Sequence, residues 1–321
     1  MKKILVTGGA GYIGSITVKR LLEQGYEVVV FDNLSQGHKE VLSCPLVLGD
    51  LNNPADLEKL NDHTFDGVIH FAAAALAGES MQKPAYYFQN NIMGGLNLLE
   101  YMNKRKIPSI VFSSTCAIYG TPEKVPVSES ESKKPESVYG ESKLAYEKVL
   151  YWYDKIFGIK NICLRYFNAC GASLDGSIGE EHNPETHIIP IAIQAAMHNK
   201  SFPLFGTDYP TPDGTCIRDY IHVEDLAQAH ILALTRLEET KTSDFFNLGT
   251  GNGYSNKEII DMVKKVSGKD FPIESKPRRA GDPSIIYADN TKAKSVLGWT
   301  PIHSDLQTII STAWKFHTKN S

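Results

Sequence analysis

Short β-type apolar runs alternate with helical periodicities through the first half of the chain. Ile4-Leu5-Val6 is a run of strand type, and Ile16, Val18, Leu21 and Leu22 then recur at helical spacing until Gly25. Glu27 to Phe31 is a second buried strand, ended by Asp32. The rhythm continues with strands at 46–48, 67–71, 110–112 and 161–165, and helices at 54–60, 84–104 and 138–157. Strands alternating with helices predict an α/β fold, a doubly wound parallel (Rossmann) sheet. Beyond residue 168 the alternation loosens into a loop-like stretch. Helical patterns return at 188–198, 223–237, 255–267, 290–297 and 305–316, and Phe245 to Leu248 reads as a strand. The expected organisation is a dinucleotide domain over 1–167 and a smaller C-terminal substrate lobe over 168–321. Segments at about 215–250 would return to the main domain.

Composition narrows the classes. The 321 residues are 42% hydrophobic and 22% charged, with a net charge of −4 and no basic block, which argues against nucleic acid as a partner. Five cysteines, no two spaced as C-x-x-C and with no His cluster accompanying them, predict reduced thiols, no disulfide and no metal. The N-terminal apolar run ends at Thr7, too short for a secretion signal, and no apolar stretch approaches spanning length. A cytoplasmic protein is expected.

Candidate chemistry gathers at strand ends, where open parallel sheets bind ligands. Gly8, Gly11 and Gly14 lie between the first strand and the first helix. Gly8 permits the tight turn, Gly11 lets backbone approach a pyrophosphate, and Gly14 lets the helix pack on the strand. The N-terminus of that helix offers N–H groups to the anion. Asp32 ends the next strand and is placed to take an adenosine ribose 2′-hydroxyl, which selects NAD over NADP. Asp50, Phe71, Thr115 and Phe167 also follow strands and could line the same crevice. Tyr139 and Lys143 stand four apart on one helix face. A neighbouring ammonium favours phenolate, so Tyr139 is a candidate base for a sugar hydroxyl. Such a pair also occurs on exposed helices without any role, and Thr115 could equally be a strand-end cap.

The glycine turn, Ser113-Ser114-Thr115 and Tyr139-x-x-x-Lys143 resemble an extended short-chain dehydrogenase/reductase. The resemblance is closer to the NAD-dependent UDP-glucose (UDP-galactose) 4-epimerases, and runs from residue 3 to about 300. Asp32-Asn33-Leu34, His70-Phe71-Ala72-Ala73, Gly78-Glu79-Ser80 and Arg165-Tyr166-Phe167-Asn168 carry it. So do Asp213-Gly214-Thr215, Arg218-Asp219-Tyr220-Ile221-His222-Val223 and Arg278-Arg279-x-Gly281-Asp282. It implies NAD held by Gly8, Gly11, Tyr12, Ile13, Gly14, Asp32 and Asn33. Asp50, Leu51, Phe71, Ala72, Ala73 and Asn90 would continue that site, with Ser113, Tyr139, Lys143, Tyr166 and Phe167 towards the nicotinamide. Tyr139 would be the base, Lys143 its pKa-lowering neighbour and Thr115 the hydroxyl that bonds the sugar O4.

The resemblance further implies a UDP-hexose substrate. Arg218 and Arg279 would hold the diphosphate and Asp282 the uridine ribose, with Phe205 packed on uracil. Asn168 would reach a phosphate or the sugar, the His187 and Ile188 backbone would meet uracil, and Tyr220 would complete the site. Ile286, four residues past Asp282, would set pocket width. It is smaller than a tyrosine, which predicts some activity on N-acetylated sugars beside UDP-glucose and UDP-galactose. A homodimer through the helices at 84–105 and 138–157 is also implied. Three departures from the family pattern are Ala75 in place of lysine, Cys116 after Thr115, and Gln36-Gly37 near the adenosine phosphate. The rivals are a 4,6-dehydratase, a UDP-glucuronate decarboxylase or a non-catalytic NAD sensor. The dehydratase would need acids after Thr115, where Cys116-Ala117 stand. No carboxylate-binding basic group for a decarboxylase can be pointed to, and a sensor would have no reason to keep Thr115, Tyr139 and Lys143 together.

Overall fold

The computed structural model describes residues 1–182, 184–279 and 282–319. Six strands form in the first half: β1 Lys3–Thr7, β2 Glu27–Asp32, β3 Leu46–Leu48, β4 Gly67–His70, β5 Ser109–Thr115 and β6 Lys160–Tyr166. Short strands follow: β7 Asn168–Cys170, β8 Phe202–Phe205, β9 Ile217–Arg218, β10 Tyr220–His222 and β11 Asp244–Leu248. The main sheet has seven strands in the order β11-β6-β5-β4-β1-β2-β3, and every neighbouring pair is parallel. The order reverses at β1, which opens a crevice beyond the strand ends.

β1 is apolar throughout its middle because helices cover both faces of the sheet. Ile4 and Val6 point into one apolar cluster, shared with Val18 and Leu21 of the helix Tyr12–Glu23 and Leu226 and Leu234 of the helix Val223–Thr240. Leu5 points into the other, with Leu98 and Met102 of the helix Gly94–Arg105 and Tyr146 and Leu150 of the helix Val138–Phe157. The Val138–Phe157 helix starts where the Ser137 hydroxyl accepts the Gly140 N–H at 3.1 Å, and ends at Gly158 with φ 72°. A third cluster lies among the helices Ile188–His198, Asn256–Ser267 and Leu306–Lys319, with Phe202 and Leu204 of β8. Ile286, Ala288 and Trp299 return to the first cluster.

Two differences from the sequence pattern have physical causes. The helix expected over 84–104 is Pro84–Phe88, a wider π turn over Gln89–Met93, then Gly94–Arg105. The π turn carries Asn91, whose carboxamide bonds the Ala74 N–H and carbonyl at 2.8 and 3.0 Å and the Ser142 hydroxyl at 2.9 Å. β5 also continues through Ser113 to Thr115, because its pairing with β6 runs as far as Thr115 opposite Tyr166. Among the described residues no helix is long and apolar enough to cross a membrane.

Candidate functional site

The glycine turn follows β1 directly. Gly8 sits at φ +73°, and a Cβ there would lie 2.4 Å from the Ala72 nitrogen. At Gly14 a Cβ would lie 2.3 Å from the Gly8 carbonyl oxygen. At Gly11 the nearest atom to a Cβ would be the Gly8 carbonyl oxygen at 3.4 Å, so its surroundings are open. No side chain caps the helix that begins at Tyr12, which leaves the leading N–H groups, Ile13 and Gly14 among them, for an anion. Asp32 is buried and locked: its carboxylate accepts the Ala10 N–H at 2.9 Å and the Leu34 N–H at 2.8 Å. Asn33 bonds Asp50 at 3.2 Å, and Asn52 bridges Asp50 and Asn90 at 3.1 and 3.3 Å. Leu51 is buried beside them, Phe71 packs against the His230 ring at 4.6 Å, and the Ala72 N–H donates to Thr7. Closed glycines, an uncapped helix start and a fixed acid fit a dinucleotide.

Lys143 is 3% exposed and donates to the Ser113 carbonyl at 2.8 Å. Its ammonium lies 4.8 Å from the Phe112 ring centre and 6.0 Å from that of Tyr139. Burial pushes the Lys143 ammonium down to about 7, against the pull of the Glu147 carboxylate. Burial pushes the Tyr139 phenol well above its usual value; the Tyr166 phenol adds to this and a hydrogen bond with the Thr115 hydroxyl opposes it. The lowering of Tyr139 expected from Lys143 is therefore not what the protein groups alone produce. Desolvation dominates, and the ammonium is turned to the Ser113 carbonyl. The Tyr139 N–H donates to Ser80 at 3.1 Å, which fixes the start of its helix. Thr115 accepts the Ala117 N–H at 3.1 Å, so the capping bond is made alongside the contact with Tyr139. Tyr166 ends β6 opposite Thr115, and the buried Phe167 follows it, its N–H donating to the Leu248 carbonyl.

A cavity beyond these strand ends is lined by Asn168, His187, Ile188, Phe205, Arg218, Tyr220, Arg279 and Asp282. The Arg279 guanidinium lies 4.0 Å over the Phe205 ring, and Arg218 pairs with Asp282 at 3.4 Å. Asn168 donates to the Asp219 carbonyl at 2.8 Å. Thr115, Tyr139 and Lys143 do not line this cavity. Thr115 pairs with Tyr166, two residues before the cavity-lining Asn168. Ile286 is 6% exposed and lies in the first apolar cluster, on a short strand where it pairs in parallel with Arg218. Parallel partners put their side chains on the same face, yet Ile286 is not among the residues that line the cavity. Gly281 of the Arg-Arg-x-Gly-Asp block lies outside the described residues.

The sequence model of the NAD dependent epimerase/dehydratase family matches residues 4–249. The chain belongs to that family. It is 49% identical to the UDP-glucose 4-epimerase of Lacticaseibacillus casei over 98% of this chain and 96% of the relative. The crystal structure of the Brucella ovis UDP-glucose 4-epimerase in complex with NAD superposes with a TM-score of 0.95, at 46% identity over 98% of each chain. The UDP-Glc/GlcNAc 4-epimerase of Campylobacter jejuni gives 0.87, at 40% identity over 99% of this chain and 100% of that one.

In this epimerase/dehydratase family member, several supporting residues escaped the sequence reading. Glu147 takes Arg165 by two hydrogen bonds, at 2.9 and 2.6 Å, and the Ser114 hydroxyl at 2.6 Å, directly behind Lys143. The Ser113 hydroxyl meets His230 at 2.8 Å. Asp219 accepts the N–H groups of Thr250, Gly251 and Ala288, tying the 250–251 and 288 segments to the β9–β10 junction. Its place between Arg218 and Tyr220 was a signal of importance but not of this role.

Proposed function

We infer that this chain is a UDP-glucose 4-epimerase, which interconverts UDP-glucose and UDP-galactose at C4 with NAD held throughout. What carries this reading is the meeting of Thr115, Tyr139 and Lys143 at the end of β5, in a fold that also has a dinucleotide turn after β1 and a cavity bearing two arginines. When bound, NAD supplies the redox chemistry, oxidising C4 to a ketone and reducing it again. Tyr139 takes the proton of the 4-hydroxyl and later returns it. Thr115 shares a hydrogen bond with the phenol and orients the sugar oxygen. Lys143 offsets the cost of a buried phenolate, and a phenolate beside it would in turn hold Lys143 charged, so the two titrate as a pair. Arg218 and Arg279 bind the diphosphate, Asp282 the ribose, and Phe205 with the His187–Ile188 backbone the uracil. Asn168 and Tyr220 complete the contacts. Ile286 limits the space at C2 of the sugar, leaving room for some activity on the N-acetylated pair.

A 4,6-dehydratase is disfavoured by Cys116 and Ala117, since burial pushes the Cys116 thiol up to about 12 and it makes a poor acid–base relay. A cytoplasmic enzyme is in keeping with its free thiols. A homodimer would cover Trp152 and Ile156, exposed at 59% and 65%, and Tyr86 and Met93 on the neighbouring helix; sedimentation as a monomer would remove that proposal. Tyr139→Phe tests the base. Turnover of UDP-galactose should fall by about 100-fold or more while sugar binding changes little. Near-normal turnover would take Tyr139 out of the mechanism.

A further inference from the structure

The segment before the helix Ile188–His198 folds four side chains onto one point. Among the described residues, Glu180, His182, Glu185 and His187 bring one ligand atom each within 4.8 Å of one another. The Glu180 carboxylate lies 3.4 Å from His182 Nδ1 and 3.0 Å from His187 Nδ1. The Glu185 carboxylate lies 3.8 Å from His182 Nδ1 and 2.9 Å from His187 Nδ1. A four-coordinate divalent ion with ligands at about 2.1 Å has ligand–ligand edges of about 3.4 Å. The four measured edges straddle that length.

Hydrogen bonding alone does not account for the arrangement. His187 Nδ1 can give one proton, and both carboxylates stand at hydrogen-bonding distance from it. His182 Nδ1 stands 3.4 and 3.8 Å from the two carboxylates, close enough to pair with either but at the long end of hydrogen-bonding distance. A cation at the centre would satisfy all four groups together. The Thr186 and His187 N–H groups hold one Glu185 oxygen at 2.7 and 2.8 Å, so that ligand is fixed by backbone. Imidazole with carboxylate suits zinc and its first-row neighbours rather than calcium or magnesium.

We propose that Glu180, His182, Glu185 and His187 form a site for a divalent transition-metal ion. The ion takes no part in the reaction. Glu180 and His187 also line the cavity that holds Arg218 and Arg279, so the ion braces one wall of that cavity. The proposal stands whether or not the epimerase reading does. The four ligands follow the spacing Glu-x-His-x-x-Glu-x-His, which holds no cysteine and so lacks the usual zinc-motif signal.

The test uses the full-length chain without an affinity tag. Crystals soaked in Zn2+ should show an anomalous peak at the zinc edge bonded to His182 Nδ1, His187 Nδ1 and both carboxylates. In solution Co2+ should give the visible d–d bands of a four-coordinate site, and His182→Ala and Glu185→Gln should each lose them. A zinc peak elsewhere with none at these residues would overturn the proposal. So would Co2+ bands that persist in both variants, or a wild-type chain that takes up no metal. The crystallographic arm needs no variant and decides the matter even if a substitution prevents folding.

Discussion

Lys143 is the residue on which the electrostatics turn. Its burial favours the neutral amine and the burial of Tyr139 favours the neutral phenol, so each needs the other's charge. Removing the lysine leaves the phenol with desolvation alone. Lys143→Ala should therefore shift the rising, low-pH limb of activity upward in pH, since Tyr139 then ionises only at higher pH. A pH–rate profile that keeps its midpoint while activity survives would refute this role. Ile286 decides a separate question, that of sugar breadth. It is buried on the face shared with Arg218. Ile286→Tyr should abolish turnover of the N-acetylated pair and spare UDP-glucose and UDP-galactose. Wild type that already refuses N-acetyl sugars, or equal loss of both pairs in the variant, would show that Ile286 does not gate the pocket.

The β1-turn-helix-β2 unit was legible in sequence because each part has its own local signal. An apolar run, three glycines, a helical period and an acid at a strand end all fall within 32 residues. Gly14→Ala tests the unit as a whole. The new methyl would meet the Gly8 carbonyl oxygen at 2.3 Å and the Gly9 Cα at 2.9 Å, so the helix must move off the strand. Overpacking of this kind costs about 1–3 kcal/mol. The variant should melt lower than wild type and lose NAD on gel filtration; unchanged melting and full NAD retention would count against the packing account. The second half of the chain was less legible. β7, β9 and β10 are two or three residues long, too short for a period to register, and they find their partners far along the chain. The Glu147–Arg165–Ser114 network joins three elements, the helix Val138–Phe157, β6 and β5, and local pattern carries no trace of such a contact. Asn91 and the π turn were hidden for the same reason. The inward carboxamide answers to Ala74 and Ser142, not to its own helix.

The whole molecule carries buried histidines that set its acid limit. His70, His222 and His230 are at most 2% exposed, and burial holds them at about 3, 3 and 4. All three are depressed below the unfolded value of about 6.5. The unfolded chain therefore takes up protons first as pH falls, and stability is lost downward from about pH 6.5 to about pH 3. The slope is up to about 1.4 kcal/mol per pH unit for each histidine. Urea midpoints measured across that window should fall steadily with pH; flat midpoints would mean that these rings take up their protons in the folded state as readily as in the unfolded one. At the same scale, the parallel sheet, the cavity and the strand-end cluster have one joint purpose in this account, to invert C4 of a UDP-hexose with no net oxidation. The most direct measurement is to give the purified chain UDP-galactose and NAD and to resolve the nucleotide sugars over time. The account predicts UDP-glucose as the product, an equilibrium mixture reached from either sugar, and no net accumulation of NADH. A 4-keto-6-deoxy product, a released pentose sugar or no conversion at all would contradict it.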